Sequence, residues 1–172
     1  MDYKDLKESV ISVLDFPKKG IDFKDITPIF LDYKKVDFIL EEMVSFAKTL
    51  DFDVVVAPES RGFLFGVQLA LRLKKPFVAI RKPNKLPRET VSIQYDLEYG
   101  KGTLEVHKDD IKESSKVLIV DDLIATGGTS VAIQKLMAKL NATVVGQVYL
   151  IELVSICNHD LLEGKFFSLI KY

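Results

Sequence analysis

Lys116–Ser130 reads KVLIVDDLIATGGTS, an apolar run leading straight into two adjacent carboxylates and then into a turn of small residues that opens a helix. Val117, Leu118, Ile119 and Val120 form an unbroken, largely β-branched stretch, as suits a central strand covered on both faces by helices. In an open α/β sheet the ligand crevice lies beyond the carboxyl ends of such strands. Asp121 and Asp122 stand at that end, and Ala125, Thr126, Gly127, Gly128 and Thr129 follow them.

Neighbouring carboxylates can accept hydrogen bonds from a vicinal diol such as the 2- and 3-hydroxyls of ribose. The glycines permit close backbone approach, while threonine hydroxyls and free amides at a helix start donate to an anion. The order of parts is therefore expected to seat a phosphorylated sugar. The plainer alternative is a βα turn whose glycines only reverse the chain and whose threonine caps the helix. Neither G-x-x-x-x-G-K-[ST] nor G-x-G-x-x-G occurs in the chain, so the loop is neither a Walker A loop nor a dinucleotide fingerprint.

Outward from this stretch, elements alternate. Leu6–Leu14 is amphipathic and breaks at Phe16-Pro17 and Gly20, which predicts a short helix followed by a loop. Val36, Ile39, Leu40, Met43, Val44, Phe46 and Leu50 recur with helical spacing before a β-branched run at Asp53–Ala57. A helix over Phe63–Leu73, a strand over Phe77–Ile80, a helix over Gly128–Leu140 and strands over Thr143–Ile151 and Phe166–Ile170 complete the series. Such alternation predicts an α/β fold with a mostly parallel central sheet flanked by helices, in a single domain over residues 1–172. The exception is Lys82–Val106, rich in charge, Pro and Gly, where Val91, Ile93 and Tyr95 alternate and Thr103–Val106 offers a return arm. It reads as a hairpin-like excursion and a mobile lid loop.

Bulk properties bound the function. A net charge of -1, from 24 basic and 25 acidic residues, gives no global attraction to nucleic acid or to an anionic membrane, so any anion site must be local. No apolar run approaches the ~20 residues that cross a bilayer. The start MDYKDLKESV is charged where a signal peptide would be apolar, and the single cysteine, Cys157, cannot form an internal disulfide. A reducing, cytoplasmic setting is expected. Cys157 reads as a small packed hydrophobe with neither histidine beside it, and His107 and His159 as isolated residues that hold no zinc.

VLIVDDLIATGGTS resembles the phosphoribosyl-diphosphate (PRPP) binding motif of the type I phosphoribosyltransferases. Three further segments, FPKKGIDFKDITP at Phe16–Pro28, ESRGFLFG at Glu59–Gly66 and RKPNKLPRETVSIQYDLEYG at Arg81–Gly100, narrow the resemblance to the branch that acts on adenine. It implies a transferase that makes AMP and pyrophosphate in purine salvage, with a small N-terminal hood over the sheet and a homodimer in which the Arg61 region approaches the neighbouring site. Transfer to another purine base, or a non-catalytic PRPP sensor, are the competing readings.

The resemblance also distributes roles. Asp121 and Asp122 would hold ribose, and Ala125, Thr126, Gly127, Gly128 and Thr129 the 5-phosphate. Ser60, Arg61, Arg81, Lys82 and Lys85 would meet pyrophosphate, with an unusual cis peptide near Ser60-Arg61. Arginine grips phosphate oxygens bidentately and lysine adds a point charge. Glu98 and Tyr99 would close over the reacting centre together with Arg61, Glu98 near the purine N7 and Tyr99 screening water. A carboxyl desolvated under a lid can hold or pass a proton near neutral pH. Asp22, Phe23 and Lys24 would meet adenine, with Phe23 stacked on it. An aliphatic residue is usual at position 22, arginine at 24 and glycine at Asn84, so this chain departs from the pattern there. Mg²⁺ is implied as a cofactor carried by PRPP itself, with no direct protein ligand.

Overall fold

The computed structural model describes residues 3–97 and 100–172. It comprises two compact units, Met1–Glu42 and Met43–Tyr172, of which the second carries the sheet.

In the first unit, helix α1 (Tyr3–Glu8) is shorter than the expected Leu6–Leu14 segment. It ends where Ser9 and Val10 donate their amides to Leu6 and Lys7, three residues back, which tightens the last turn and stops the helix. The β-branched Ile11 and Val13 then extend as strand β1 (Ile11–Leu14), paired antiparallel with β2 (Asp22–Asp25) so that Ser12 faces Lys24 and Val13 faces Phe23. Helical periodicity concealed this strand because four residues suffice for neither pattern alone. A 3-10 turn over Thr27–Leu31 with Pro28 in its first turn leads to α2 (Tyr33–Ala47), which starts in the first unit and ends in the second, and where Asp32 Oδ1 accepts the Lys34 amide at 3.0 Å. Ile39, Leu40, Met43, Val44 and Ala47 are its buried stripe.

The second unit runs β3 (Val54–Pro58), α3 (Gly62–Leu73), β4 (Phe77–Ile80), β5 (Thr90–Leu97), β6 (Gly100–His107), β7 (Lys116–Ile124), α4 (Gly128–Lys139), β8 (Thr143–Glu152) and β9 (Lys165–Lys171). Its five-stranded sheet has the order β4-β3-β7-β8-β9, and every neighbouring pair is parallel. The uninterrupted apolar runs of β3 and β7 follow from this, since parallel strands lose both faces to helices. Val54, Val56, Val117 and Ile119 belong to a buried cluster with Ala132, Ile133, Leu136 and Met137 of α4.

β7 is longer than the apolar run suggests. Pairing with β8 continues through Asp121↔Tyr149 to Ile124↔Glu152, so both carboxylates lie within the strand rather than after it. Acidic residues are poor strand formers, and only the partner strand's hydrogen bonds override that preference.

The excursion after β4 is a hairpin, β5 against β6, in register from Thr90↔His107 to Leu97↔Gly100. Its arms are part of the core. Leu104 and Val106 are buried, Val91, Ile93 and Tyr95 pack on the same cluster, and Arg81 and Glu105 exchange both backbone hydrogen bonds at 2.8 and 2.7 Å.

Candidate active site

The site is assembled where β3 and β7 end. After β3 the chain passes a cis peptide at Glu59–Ser60, next to the expected position, and enters α3 at Gly62. A Cβ on Gly62 would lie 2.8 Å from Asp121 Oδ1 and 3.2 Å from the Val120 carbonyl, so only glycine lets the start of α3 come this close to the acids of β7. Arg61 precedes it directly, with its Nε 3.0 Å from Asp122 Oδ2. This contact is an ion pair without hydrogen-bond alignment, since Oδ2 is buried and has no hydrogen-bond partner. The structure thus joins two segments that the sequence offers separately, the ESRG turn and the paired acids.

Asp122 is 3% exposed, whereas Asp121 is partly open and accepts the Asp122 amide on Oδ1 at 2.8 Å. Burial, reinforced by the charge of Asp122, pushes the Asp121 carboxyl well above the usual carboxylate range. Burial also raises Asp122, although the Arg61 guanidinium opposes it. The two titrate as one unit.

The loop Ala125–Gly127 joins β7 to α4. Gly127 adopts φ +90°, a left-handed conformation that suits glycine, and the Gly128 amide donates to Thr126 Oγ1 at 3.4 Å. Thr126 is exposed, Ala125, Gly128 and Thr129 are half-buried, and Gly127 is buried. Successive amides at a helix start with an exposed hydroxyl form an anion-binding concavity.

On the other side of β3, Arg81 Nε donates to Glu59 Oε2 at 2.7 Å, and the Lys82 amide donates to the same oxygen at 3.2 Å. Burial would raise the Glu59 carboxyl, but the Arg81 and Lys82 contacts outweigh it and hold the carboxyl below its ordinary value. Sequence alone assigns Glu59 no role. The one available signal was its place in the ESRG motif, and its partner became visible only with β3 beside β4. Ser60, Lys82, Asn84 and Lys85 are exposed, and Asn84 takes φ +64°, a conformation glycine enters freely and asparagine tolerates. Glu98 and Tyr99 lie outside the described residues.

In the first unit, Lys24 is buried and its Nζ donates to Asp22 Oδ2 at 2.8 Å and to Ser12 Oγ at 2.6 Å. Two of the three departures from the family pattern, Asp22 and Lys24, are therefore partners of each other. The Lys24 hydrogen bond also lowers the Asp22 carboxyl's pKa. Phe23 meets Phe16 edge to face at 5.2 Å between ring centroids.

A second missed feature stands behind the loop. Ser130 Oγ and Tyr149 Oη are 2.5 Å apart, Tyr149 donates to Gln147 Oε1, Gln147 donates to Gln134 Oε1, and Gln134 donates to the Leu161 carbonyl. All four side chains are buried, and burial drives the Tyr149 hydroxyl's pKa far up. The network ties α4 to β8 and to the connection before β9.

Residues 25–156 match the model of the phosphoribosyl transferase domain. An adenine phosphoribosyltransferase of Malacoplasma penetrans is 66% identical over 172 residues, 100% of both chains. The solved structure of an adenine phosphoribosyltransferase from Thermoanaerobacter pseudethanolicus superposes with a TM-score of 0.96 at 45% identity, covering 99% of this chain and 100% of that one. That of the Saccharomyces cerevisiae enzyme, complexed with an imino-altritol bisphosphate and adenine, gives 0.87 at 36% identity over 97% of each chain. The chain belongs to the phosphoribosyltransferase family, in its adenine phosphoribosyltransferase branch. Among the described residues no helix is long and apolar enough to cross a membrane.

Proposed function

We propose that this chain, acting as one phosphoribosyltransferase domain, transfers the 5-phosphoribosyl group of PRPP to adenine, giving AMP and pyrophosphate in purine salvage. The observation that carries this reading is the Arg61–Asp122 ion pair, which brings a phosphate-gripping arginine beside the diol acids and next to the anion loop. The bond from ribose C1 to pyrophosphate breaks as the bond from adenine N9 forms, and the base gives up one proton. Asp121 and Asp122 accept the ribose hydroxyls, and residues 125–129 hold the 5-phosphate. Ser60, Arg61, Arg81, Lys82 and Lys85 receive the departing anion, which is the charge that develops in the transition state. Glu59 fixes Arg81 for this task through its hydrogen bond.

Glu98 takes up the proton near N7, and Tyr99 excludes water that would hydrolyse a cation-like ribose. Phe23 stacks on adenine. With Asp22 and Lys24 engaged with each other, main-chain groups of this segment read the base edge. Magnesium supplies charge neutralisation on the pyrophosphate when bound. Asp121 or Asp122 would meet it through water, since Mg²⁺ retains several waters and takes oxygen donors. The protein works as a cytoplasmic homodimer. Support for the second copy comes from α3, whose Leu64, Val67 and Leu71 form an apolar stripe on the helix that begins at Arg61's neighbour.

Pyrophosphate and AMP release with adenine, PRPP and Mg²⁺ tests the reading, with hypoxanthine and guanine run in parallel. Turnover with adenine at least ~10²-fold above the 6-oxo purines is expected, a floor below the roughly 10⁴–10⁵-fold reached when a mismatched substrate leaves buried site donors unpaired. Folded protein without turnover overturns it.

A further inference from the structure

The end of β8 and the connection to β9 hold a cluster that the transfer chemistry does not use. Glu152, Cys157 and His159 place one carboxylate oxygen, Sγ and one imidazole nitrogen within 4.8 Å of one another. The sequence offered no such grouping, because Glu152 closes a strand and the other two lie on a turn that only the fold brings back.

Each ligand is held by its surroundings. Glu152 is 2% exposed, and its Oε2 accepts from Ser168 Oγ at 2.5 Å while Oε1 lies 2.7 Å from His159 Nε2. The His159 ring stands edge-on to Phe166 at 4.5 Å. The Cys157 amide donates to the Leu153 carbonyl at 3.0 Å, and Asn158 Oδ1 accepts the Asp160 amide to cap the following 3-10 turn. A buried carboxylate oriented by a hydroxyl is the outer-sphere arrangement that metal ligands characteristically have.

We propose that Glu152, Cys157 and His159 form a site for a thiophilic divalent cation, zinc above all, with solvent in the fourth position. Zinc takes sulfur at about 2.3 Å and nitrogen or oxygen at about 2.0–2.2 Å in a tetrahedron, so its ligand atoms stand about 3.3–3.8 Å apart. Binding replaces the 2.7 Å Glu152–His159 hydrogen bond with two bonds to the metal, while the three donor atoms already stand within 4.8 Å of one another. On binding, the Cys157 thiol releases its proton to solvent and the imidazole binds in its neutral form. Thiolate, imidazole and carboxylate together select zinc or cobalt over magnesium, which requires oxygen donors in an octahedron. The site is therefore distinct from the magnesium that accompanies PRPP. It adjoins the anion loop: the Leu153 amide donates to the Ile124 carbonyl at 3.0 Å, and Leu162 lies 3.4 Å from where a Cβ on Gly127 would stand.

The test uses the full chain free of histidine tags and titrated with Co²⁺. Because Cys157 is the one cysteine in the sequence, any sulfur-to-cobalt charge-transfer band reports on it alone. The expected result is a near-ultraviolet band saturating at one Co²⁺ per chain, abolished by Zn²⁺ and unchanged by excess Mg²⁺. Cys157→Ser should lose the band, and His159→Gln should bind about tenfold or more weakly. In a second measurement, Zn²⁺ should slow alkylation of Cys157 by about tenfold in the unmodified chain. Absence of the band, a band unaffected by His159→Gln, or alkylation equally fast with and without Zn²⁺ each overturn the proposal.

Discussion

At the scale of single residues, the Arg61–Asp122 contact concentrates the site's electrostatics. Asp122 is buried at 3% exposure and Arg61 is its compensating charge at 3.0 Å. Arg61→Ala is expected to destabilise the fold by about 1–3 kcal/mol, the cost of leaving buried Asp122 without its counter-charge, moderated by the guanidinium's own exposure, as read by urea unfolding. The same variant should lower kcat/KM by about 10²–10³-fold, as loss of one preorganised donor to developing negative charge does. The acids also make a pH signature. Burial and mutual repulsion raise the Asp121 carboxyl, so between the usual carboxylate value of about 3.9 and the raised one the folded ligand-free protein binds more protons than the unfolded chain. The pair's contribution to stability is thus fully present below the unfolded value and is lost as pH rises through the folded one. Ribose hydroxyls need ionised acceptors, so PRPP affinity should rise with pH across that same window. Calorimetric titration of PRPP against pH should show that rise, and Asp121→Asn should remove the part of it that PRPP's own ionisation does not supply.

Among the elements, the β5–β6 hairpin is the informative one. The sequence marks it as an excursion by its charge, Pro and Gly content, yet Leu104 at 3% and Val106 at 0% exposure are as buried as the sheet. Alternation in Val91, Ile93 and Tyr95 was legible, but which face would be covered depends on α4, whose apolar side that face meets. The described arms of this segment are therefore anchored in the core. Leu104→Ala is expected to cost about 2–5 kcal/mol in urea unfolding, as cavity-forming core substitutions do, whereas truncation of a loose lid would cost almost nothing. β1 teaches the converse lesson. Its four residues are exposed, and pairing with β2, rather than burial, makes them a strand.

For the whole molecule, the exposed stripe Leu64, Val67 and Leu71, at 41%, 47% and 78%, runs along α3 at helical spacing. Sedimentation should find a dimer for the unmodified chain, and Leu71→Glu should shift it toward monomer, because a carboxylate opposed to its own symmetry mate cannot be desolvated without a partner. A dimer undisturbed by this change would place the interface elsewhere.

The order and type of the main sheet elements and the small-residue turn at Ala125–Thr129 were determined by the sequence alone, since periodicity and turn chemistry act over a few neighbouring residues. Glycine at 127 is required by a local φ, and the β-branched run of β7 by its own packing. Only the tertiary structure decided which charges meet. Arg61 with Asp122, Arg81 with Glu59, Lys24 with Ser12, and Cys157 with His159 and Glu152 are all set by strand order, register or the return of a loop. Spacing along the chain does not encode such pairings, because the partners of a side chain are set by the segment that the sheet or a returning loop lays beside it.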